Sequence, residues 1–118
     1  MNLTNEQIIN QAIDLHMQGN ISEAFKYYQY LINQGFENHK LFSNYGAILQ
    51  SIGELAKAEL SFRKAIAINP KIGSAHYNLG ITLKSQGKLE EAELSTRNAI
   101  KLNPNDAEAH SNLGSILI

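Results

Sequence analysis

Residues 73–106 read GSAHYNLGITLKSQGKLEEAELSTRNAIKLNPND, and residues 39–72 before them read HKLFSNYGAILQSIGELAKAELSFRKAIAINPKI. Laid over one another without a gap, the two stretches agree at 15 of 34 positions. The agreements are Asn44/Asn78, Gly46/Gly80, Leu49/Leu83, Ser51/Ser85, Gly53/Gly87, Leu55/Leu89, Ala58/Ala92, Glu59/Glu93, Leu60/Leu94, Ser61/Ser95, Arg63/Arg97, Ala65/Ala99, Ile66/Ile100, Asn69/Asn103 and Pro70/Pro104. Chance at average composition would give about two. The same shift carries Asn78-Leu79-Gly80 onto Asn112-Leu113-Gly114, and Ala75-His76 onto Ala109-His110. Run backward, it carries Asn44, Leu49, Gly53, Ala58 and Ile66 onto Asn10, Leu15, Gly19, Ala24 and Ile32. The chain reads as a single domain, 1–118, of units at approximately 5–38, 39–72 and 73–106, with a truncated fourth over 107–118.

Each unit reads as two helices. In 73–106 the residues His76, Leu79, Gly80 and Leu83 recur at helical spacing, and Gln86-Gly87 interrupts them, since glycine adopts the positive φ that ends a helix. Leu89, Ala92, Ala99, Ile100 and Leu102 carry the second helix. Asn103-Pro104 closes it, because proline biases the residue before it away from the α region. Asn105 or Asp106 is placed to cap the next helix, and Thr4-x-x-Gln7 has the form of a capping box. Gly46, Gly80 and Gly114 on the first helices, with Ala58 and Ala92 on the second, let helices approach closely. A glycine inside a helix costs about 1 kcal/mol relative to alanine, so its periodic recurrence points to packing that offsets the cost.

Composition excludes several function classes. Hydrophobic residues make up 43% and charged residues 18%, which suits a folded chain. The net charge of −1 offers no basic excess for phosphates, so nucleic acid is not expected as a partner. The absence of cysteine removes disulfide and thiolate chemistry. The N-terminus lacks the basic start and apolar run of a signal peptide, and no stretch approaches the roughly 20 apolar residues of a membrane helix. The expectation is a cytoplasmic protein without membrane contact. His76 and His110, a full unit apart, should be too distant to share a metal whose bonds to nitrogen are roughly 2 Å, and read as packing histidines with one nitrogen hydrogen-bonded. Glu59/Arg63 and Glu93/Arg97 have the spacing of helix-surface pairs rather than of an acid–base couple. No phosphate loop, nucleophile elbow or H-E-x-x-H occurs. No catalytic residue, metal site or cofactor is expected, and the chain reads as a non-enzyme.

The period and its landmarks resemble the tetratricopeptide repeat (TPR), whose pattern is W-x2-L-G-x2-Y, then A-x3-F, then P. The third unit reads His76-x2-Leu79-Gly80-x2-Leu83, Ala92-x3-Thr96 and Pro104; the second reads Phe42-x2-Tyr45-Gly46-x2-Leu49, Ala58-x3-Phe62 and Pro70. The first unit is the most divergent, with Ile8, Gln11, Ala12 and Leu15, then Ala24-x3-Tyr28, and Phe36 in place of the proline. The resemblance spans essentially the whole chain. It implies an all-α, right-handed α-solenoid of antiparallel helix pairs, whose first helices line a concave groove that binds a protein or an extended peptide segment.

Once the core stripe is assigned, each first helix keeps a second stripe. In the third unit it contains Tyr77, Asn78, Ile81 and Lys84; in the second, Lys40, Ser43 and Asn44; in the first, Ile9, Asn10 and Ile13. By the resemblance these residues, with Asn112, face the groove. Asn10, Asn44, Asn78 and Asn112 occupy one equivalent position. Either they fix the helix surface, or they form a ladder whose carboxamides pair with the backbone of an extended peptide. The array resembles that of the superhelical repeats of O-linked N-acetylglucosamine transferases. Ile9, Ile13 and Met17 make the first stripe apolar: either a pocket for a ligand side chain, or a surface covered by the terminus or a neighbouring molecule. Lys40 and Lys84 are the only firm positive charges on the stripes, too few for the carboxylate clamp of chaperone-tail binders. The fourth unit stops at Ile118 with Leu113, Ile116 and Leu117 uncovered. A fragment of a longer array is the first expectation, and a homo-oligomer through the uncapped C-terminal helix the second. The leading function is a protein- or peptide-binding scaffold. The alternatives are a self-assembly unit joined through its repeat ends and a substrate-presenting arm of a larger enzyme.

Overall fold

The computed structural model describes residues 2–118, and the elements among them are seven α-helices with no strand. They are α1 (Asn5–Met17), α2 (Ile21–Asn33), α3 (His39–Ser51), α4 (Leu55–Ile68), α5 (Gly73–Ser85), α6 (Leu89–Leu102) and α7 (Ala107–Leu117). The helices pair as α1/α2, α3/α4 and α5/α6, and the second helix of each pair packs on the first helix of the next. α3 also touches α5, and α5 touches α7. The stack is elongated, 54 × 26 × 25 Å, as expected when each hairpin buries its apolar face on its neighbours. No described helix is long and apolar enough to cross a membrane.

The turns follow from local chemistry. Within the third pair, Gly87 sits at φ +78; its N–H donates to Lys84 O at 2.9 Å, and the Lys88 N–H donates to Leu83 O at 2.9 Å. That is the two-bond closure a left-handed residue after a helix permits. Between pairs a different device operates. α4 and α6 end on extended Asn69 and Asn103, each before a proline. His76 Nε2 then lies 2.8 Å from Pro70 O, and His110 Nε2 lies 2.8 Å from Pro104 O. A carbonyl can only accept, so Nε2 is the protonated nitrogen in both rings. α2 lacks the proline and ends instead on Gly35 at φ +75, with Phe36 N–H donating to Leu31 O at 3.1 Å. At the N-terminus the Thr4/Gln7 capping box forms, with bonds of 3.1 and 2.9 Å. Asp106 caps α7 by accepting from the Glu108 and Ala109 N–H groups at 3.1 and 3.2 Å.

The core runs along the stack in two clusters, one around Tyr28, Leu31 and Leu41 and one around Phe62, Leu79 and Leu83. Full burial of a side chain such as Phe62 contributes about 1.5–3 kcal/mol. The internal glycines are steric requirements of these clusters. A Cβ on Gly46 would lie 2.8 Å from Phe62 Cε1, and one on Gly80 would lie 2.5 Å from Thr96 Oγ1. Neither neighbour has room to yield: Phe62 is fully buried, and the Thr96 hydroxyl is fixed by donating to Ala92 O at 2.8 Å.

Candidate functional site

α3, α5 and α7 lie side by side as one layer of first helices, and the stripe residues sit along it at different depths. Lys40 is exposed near the start of α3, with Ser43 and Asn44 half-buried one turn on. Tyr77, Asn78, Ile81 and Lys84 are all half-buried along α5. On α1, Asn10 is exposed and Ile13 half-buried. Ile9 departs from the expected groove: it is 2% exposed and belongs to the core cluster with Tyr28 and Leu41. The equivalent positions hold Ser43 and Tyr77, which keep a polar atom to hydrate, whereas an isoleucine gains by burial. Of the apolar trio on α1, Met17 is the exposed member, at 83%.

A hydrogen bond and a charge interaction link α5 and α7. Lys84 Nζ donates to Ser115 Oγ at 2.6 Å, and that hydroxyl donates to Asn112 O at 2.9 Å. Tyr77 lies in the field of α7's acidic start: burial raises its phenol above the usual range, and the negative Glu108 and Asp106 raise it further. Lys84 and Ser115, like Tyr77 and Glu108, are 31 apart in sequence, one period less about one helical turn. The two lysines of the stripes therefore differ, Lys84 being held by its neighbour and Lys40 exposed to solvent.

The asparagine row is not uniform. Asn112 is 6% exposed, and its Nδ2 donates to Thr96 Oγ1 on α6 at 3.0 Å. It points between helices rather than outward, because a hydroxyl is available there. The equivalent hydroxyl on the second helix before Asn44 is that of Tyr28, which donates to Ala12 O at 3.5 Å. Burial pushes this phenol up to about 12, and the polar Asn44 side chain offsets part of the rise. The Tyr28 oxygen also lies 3.1 Å from His16 Nδ1, and burial holds His16 below the usual histidine range. The equivalent residue 16 positions before Asn78 is Phe62, whose side chain has no polar atom. Among the described residues the Asn78 carboxamide makes no hydrogen bond within the chain, while its backbone carbonyl accepts from Thr82 Oγ1 at 3.0 Å. Asn10 lies on α1, the first of the described helices, and is exposed. Within the row, Asn112 is the member tied to the scaffold by a side-chain hydrogen bond among the described residues.

Apolar clefts occur on the other side of the stack, where the sequence reading placed none. One, of about 280 Å³, is lined by Ile32, Phe42, Tyr45, Leu49 and Leu60; another, of about 330 Å³, by Ile66, His76, Leu79 and Leu94. They are the same feature repeated, and Leu60 and Leu94 at their rims are 70% and 64% exposed. The 34-residue identity of Leu60 and Leu94 was the available signal.

Stacked helix pairs with close-packed glycines and a polar first-helix layer define a TPR α-solenoid. The chain belongs to the family of the Cilia and flagella-associated protein 70 middle TPR-like domain, whose profile matches residues 10–117. No curated protein sequence matches the chain significantly. Among solved structures, it is similar to the first TPR of Spaghetti (RPAP3) bound to an HSP90 peptide, with 25% identity and a TM-score of 0.87, covering 96% of this chain and 90% of that one. It is similar to the Thermobaculum terrenum O-GlcNAc transferase, with 25% identity and a TM-score of 0.86, over 99% of this chain but 23% of that one. The Yersinia enterocolitica type III secretion chaperone SycD, in complex with a peptide of the translocator YopD, shares the fold at 24% identity and a TM-score of 0.82, over 95% of this chain and 91% of that one.

Proposed function

We propose that this chain is a non-catalytic protein-interaction scaffold that holds an extended peptide along its first-helix layer, with Asn78 as the central backbone contact. The observation that carries the reading is the half-buried Asn78, on the same helix face as Ile81 and Lys84, whose one hydrogen bond outside the helix ladder uses its backbone carbonyl and leaves the carboxamide uncommitted. A carboxamide offers both a donor and an acceptor, which matches the N–H and C=O of one peptide residue. Neighbouring first helices stand about 10 Å apart, a span that roughly three extended residues cover. Asn10 and Asn78 therefore mark contacts spaced along the ligand, and Lys40 supplies the free cation. Contacts of this kind grip backbone and discriminate little between side chains. The similarity to a TPR bound to an HSP90 peptide supports a peptide ligand as a class. The charge content of this groove favours a different sequence, since Lys84 is already engaged by Ser115.

Selection of a displayed peptide library on the wild-type protein, followed by rebinding to Asn78→Ala and to Asn44→Ala/Asn78→Ala, tests the reading. Loss of one backbone contact should weaken the selected peptides about tenfold, equivalent to about 1.4 kcal/mol. Unchanged affinity in both variants would falsify the groove assignment.

A further inference from the structure

The apolar cleft at Leu60 differs from its copy one unit further on, and the difference is charge. Phe42 and Tyr45 of α3 line it together with Ile32 of α2 and Leu60 of α4. The first three are half-buried, whereas Leu60 is 70% exposed, so apolar surface is left that a ligand would cover. At about 280 Å³ the cleft falls just below the roughly 300–1,000 Å³ of whole-ligand pockets and suits a single large side chain.

The aromatic wall is fixed in advance. The Tyr45 ring stacks on Phe25 with centroids 4.9 Å apart. Ser61 Oγ donates to Phe42 O at 2.6 Å, and Lys64 Nζ lies 5.9 Å from the centroid of the Phe42 ring. Walls held in this way lose little freedom when a ligand binds.

Lys57 and Lys64 line the same cleft. With Leu60 between them they have the three- and four-residue spacing of one helix face. Lys64 pairs with Glu37 at 3.2 Å, but both side chains are about half exposed, so water competes for the pair. Lys57 has no carboxylate partner among the described residues. The rim therefore sets two cations against one anion. One period on, Glu91 and Asn98 stand in place of the two lysines, and Glu91 is answered by Arg63 at 3.8 Å. The second cleft keeps its exposed leucine, Leu94, and has no positive excess at these positions.

We propose that the Leu60 cleft is a docking site for a short acidic segment of a partner protein. A leucine or aromatic side chain of that segment enters beside Leu60, and carboxylates on either side of it meet Lys57 and Lys64. The site lies on the opposite side of the stack from the Asn78 surface and acts independently of it. A flat anionic membrane fits less well, because the cleft is concave and its neighbour presents Glu91.

The test is a nuclear magnetic resonance titration of the isotope-labelled full chain with three short synthetic peptides. The first carries a central leucine–phenylalanine pair flanked by aspartates. The second has lysines for the aspartates, and the third has serines for the apolar pair. The expected result is saturable shifts at Ile32, Phe42, Lys57, Leu60 and Lys64 with the first peptide, and at least tenfold weaker binding of the other two. Lys57→Glu/Lys64→Glu should weaken the acidic peptide at least tenfold and Leu60→Ser several-fold. All three side chains are exposed, so thermal unfolding of these variants should match the wild type. Leu94→Ser and Asn78→Ala should bind as the wild type does, and added salt should weaken the complex. Absence of saturable shifts, shifts centred on Asn78 or Leu94, equal binding of the acidic and basic peptides, or undiminished binding to the lysine variant each overturn the proposal. Sedimentation showing that the wild type pairs with itself, and that Leu60→Ser does not, overturns it in favour of a second copy. Pelleting with phosphatidylserine vesicles that Lys57→Glu/Lys64→Glu abolishes overturns it in favour of a lipid surface.

Discussion

The Asn112 carboxamide donates to Thr96 Oγ1 at 3.0 Å, and the same hydroxyl donates to Ala92 O at 2.8 Å, so one buried threonine joins α7 to α6. Replacing Thr96 by valine leaves the Asn112 donor without its partner, and Asn112→Ala removes that donor. Each should cost about 1–3 kcal/mol in urea unfolding. The double variant should lose less than the sum, because both changes remove one interaction. Asn78→Ala, which breaks no bond within the chain, should change stability by less than about 0.5 kcal/mol. Equal losses at Asn78 and Asn112 would contradict the division of the asparagine row.

The glycines separate in the same way. Gly46→Ala and Gly80→Leu force atoms against Phe62 and Thr96, and overpacking of this kind costs about 1–3 kcal/mol. Gly114→Ala meets open space and should gain up to about 1 kcal/mol from helix propensity. Circular dichroism melting of the three variants checks the order; a loss at Gly114 as large as at Gly80 would rule out the steric explanation.

Acid should weaken the first unit through His16. Its folded-state affinity for a proton is lowered by burial, so between the ordinary histidine value of 6.5 and the lower folded value the unfolded chain binds more protons. The stability this group supplies is therefore fully present above pH 6.5 and is lost as pH falls through the folded value. His16→Gln should flatten the dependence of the melting temperature on pH below neutrality. A profile with the same slope in the variant would assign the effect to other groups.

Alkali acts on the same pocket with the opposite sign. Burial raises the Tyr28 phenol from 10 to about 12, so its contribution is complete below pH 10 and disappears as pH climbs through about 12. Tyr28→Phe should remove that loss. The variant also removes the one hydroxyl near Asn44, giving the second unit the apolar neighbour that Phe62 provides before Asn78. Tighter peptide binding by Tyr28→Phe, read by calorimetry, is the expected sign; unchanged binding would show that Asn44 lies outside the ligand surface.

The parts legible in the sequence are those set within a few residues of one another. Gly87 and Pro104 marked helix ends, Thr4 and Gln7 marked a cap, and the spacing of Leu79, Gly80 and Leu83 marked a buried face. The expectation that His76 and His110 each have one bonded nitrogen is met, with proline carbonyls as partners, but His110 is exposed rather than packed and His76 is only half-buried. The fate of each asparagine was hidden because its neighbour lies 16 residues earlier on another helix, where tyrosine, phenylalanine and threonine alternate at one equivalent position. Ile9 was misplaced for a related reason. Periodicity assigned it to the stripe of Ser43 and Tyr77, but its lack of any polar atom leaves burial unopposed. The cross-helix partners of Lys84 and Tyr77 follow a 31-residue offset that only the geometry of stacked pairs discloses.

The clasp of His76 on Pro70 O and of His110 on Pro104 O, each six residues back, gives two of the bends between pairs a local fastener. At these two joints part of the geometry between one pair and the next is set inside the linker, in addition to the packing of the helices themselves. Splicing in another 34-residue module that begins and ends at equivalent positions should lengthen the rod while preserving its curvature. A chain with this joint can grow by duplication without a new solution to the problem of direction.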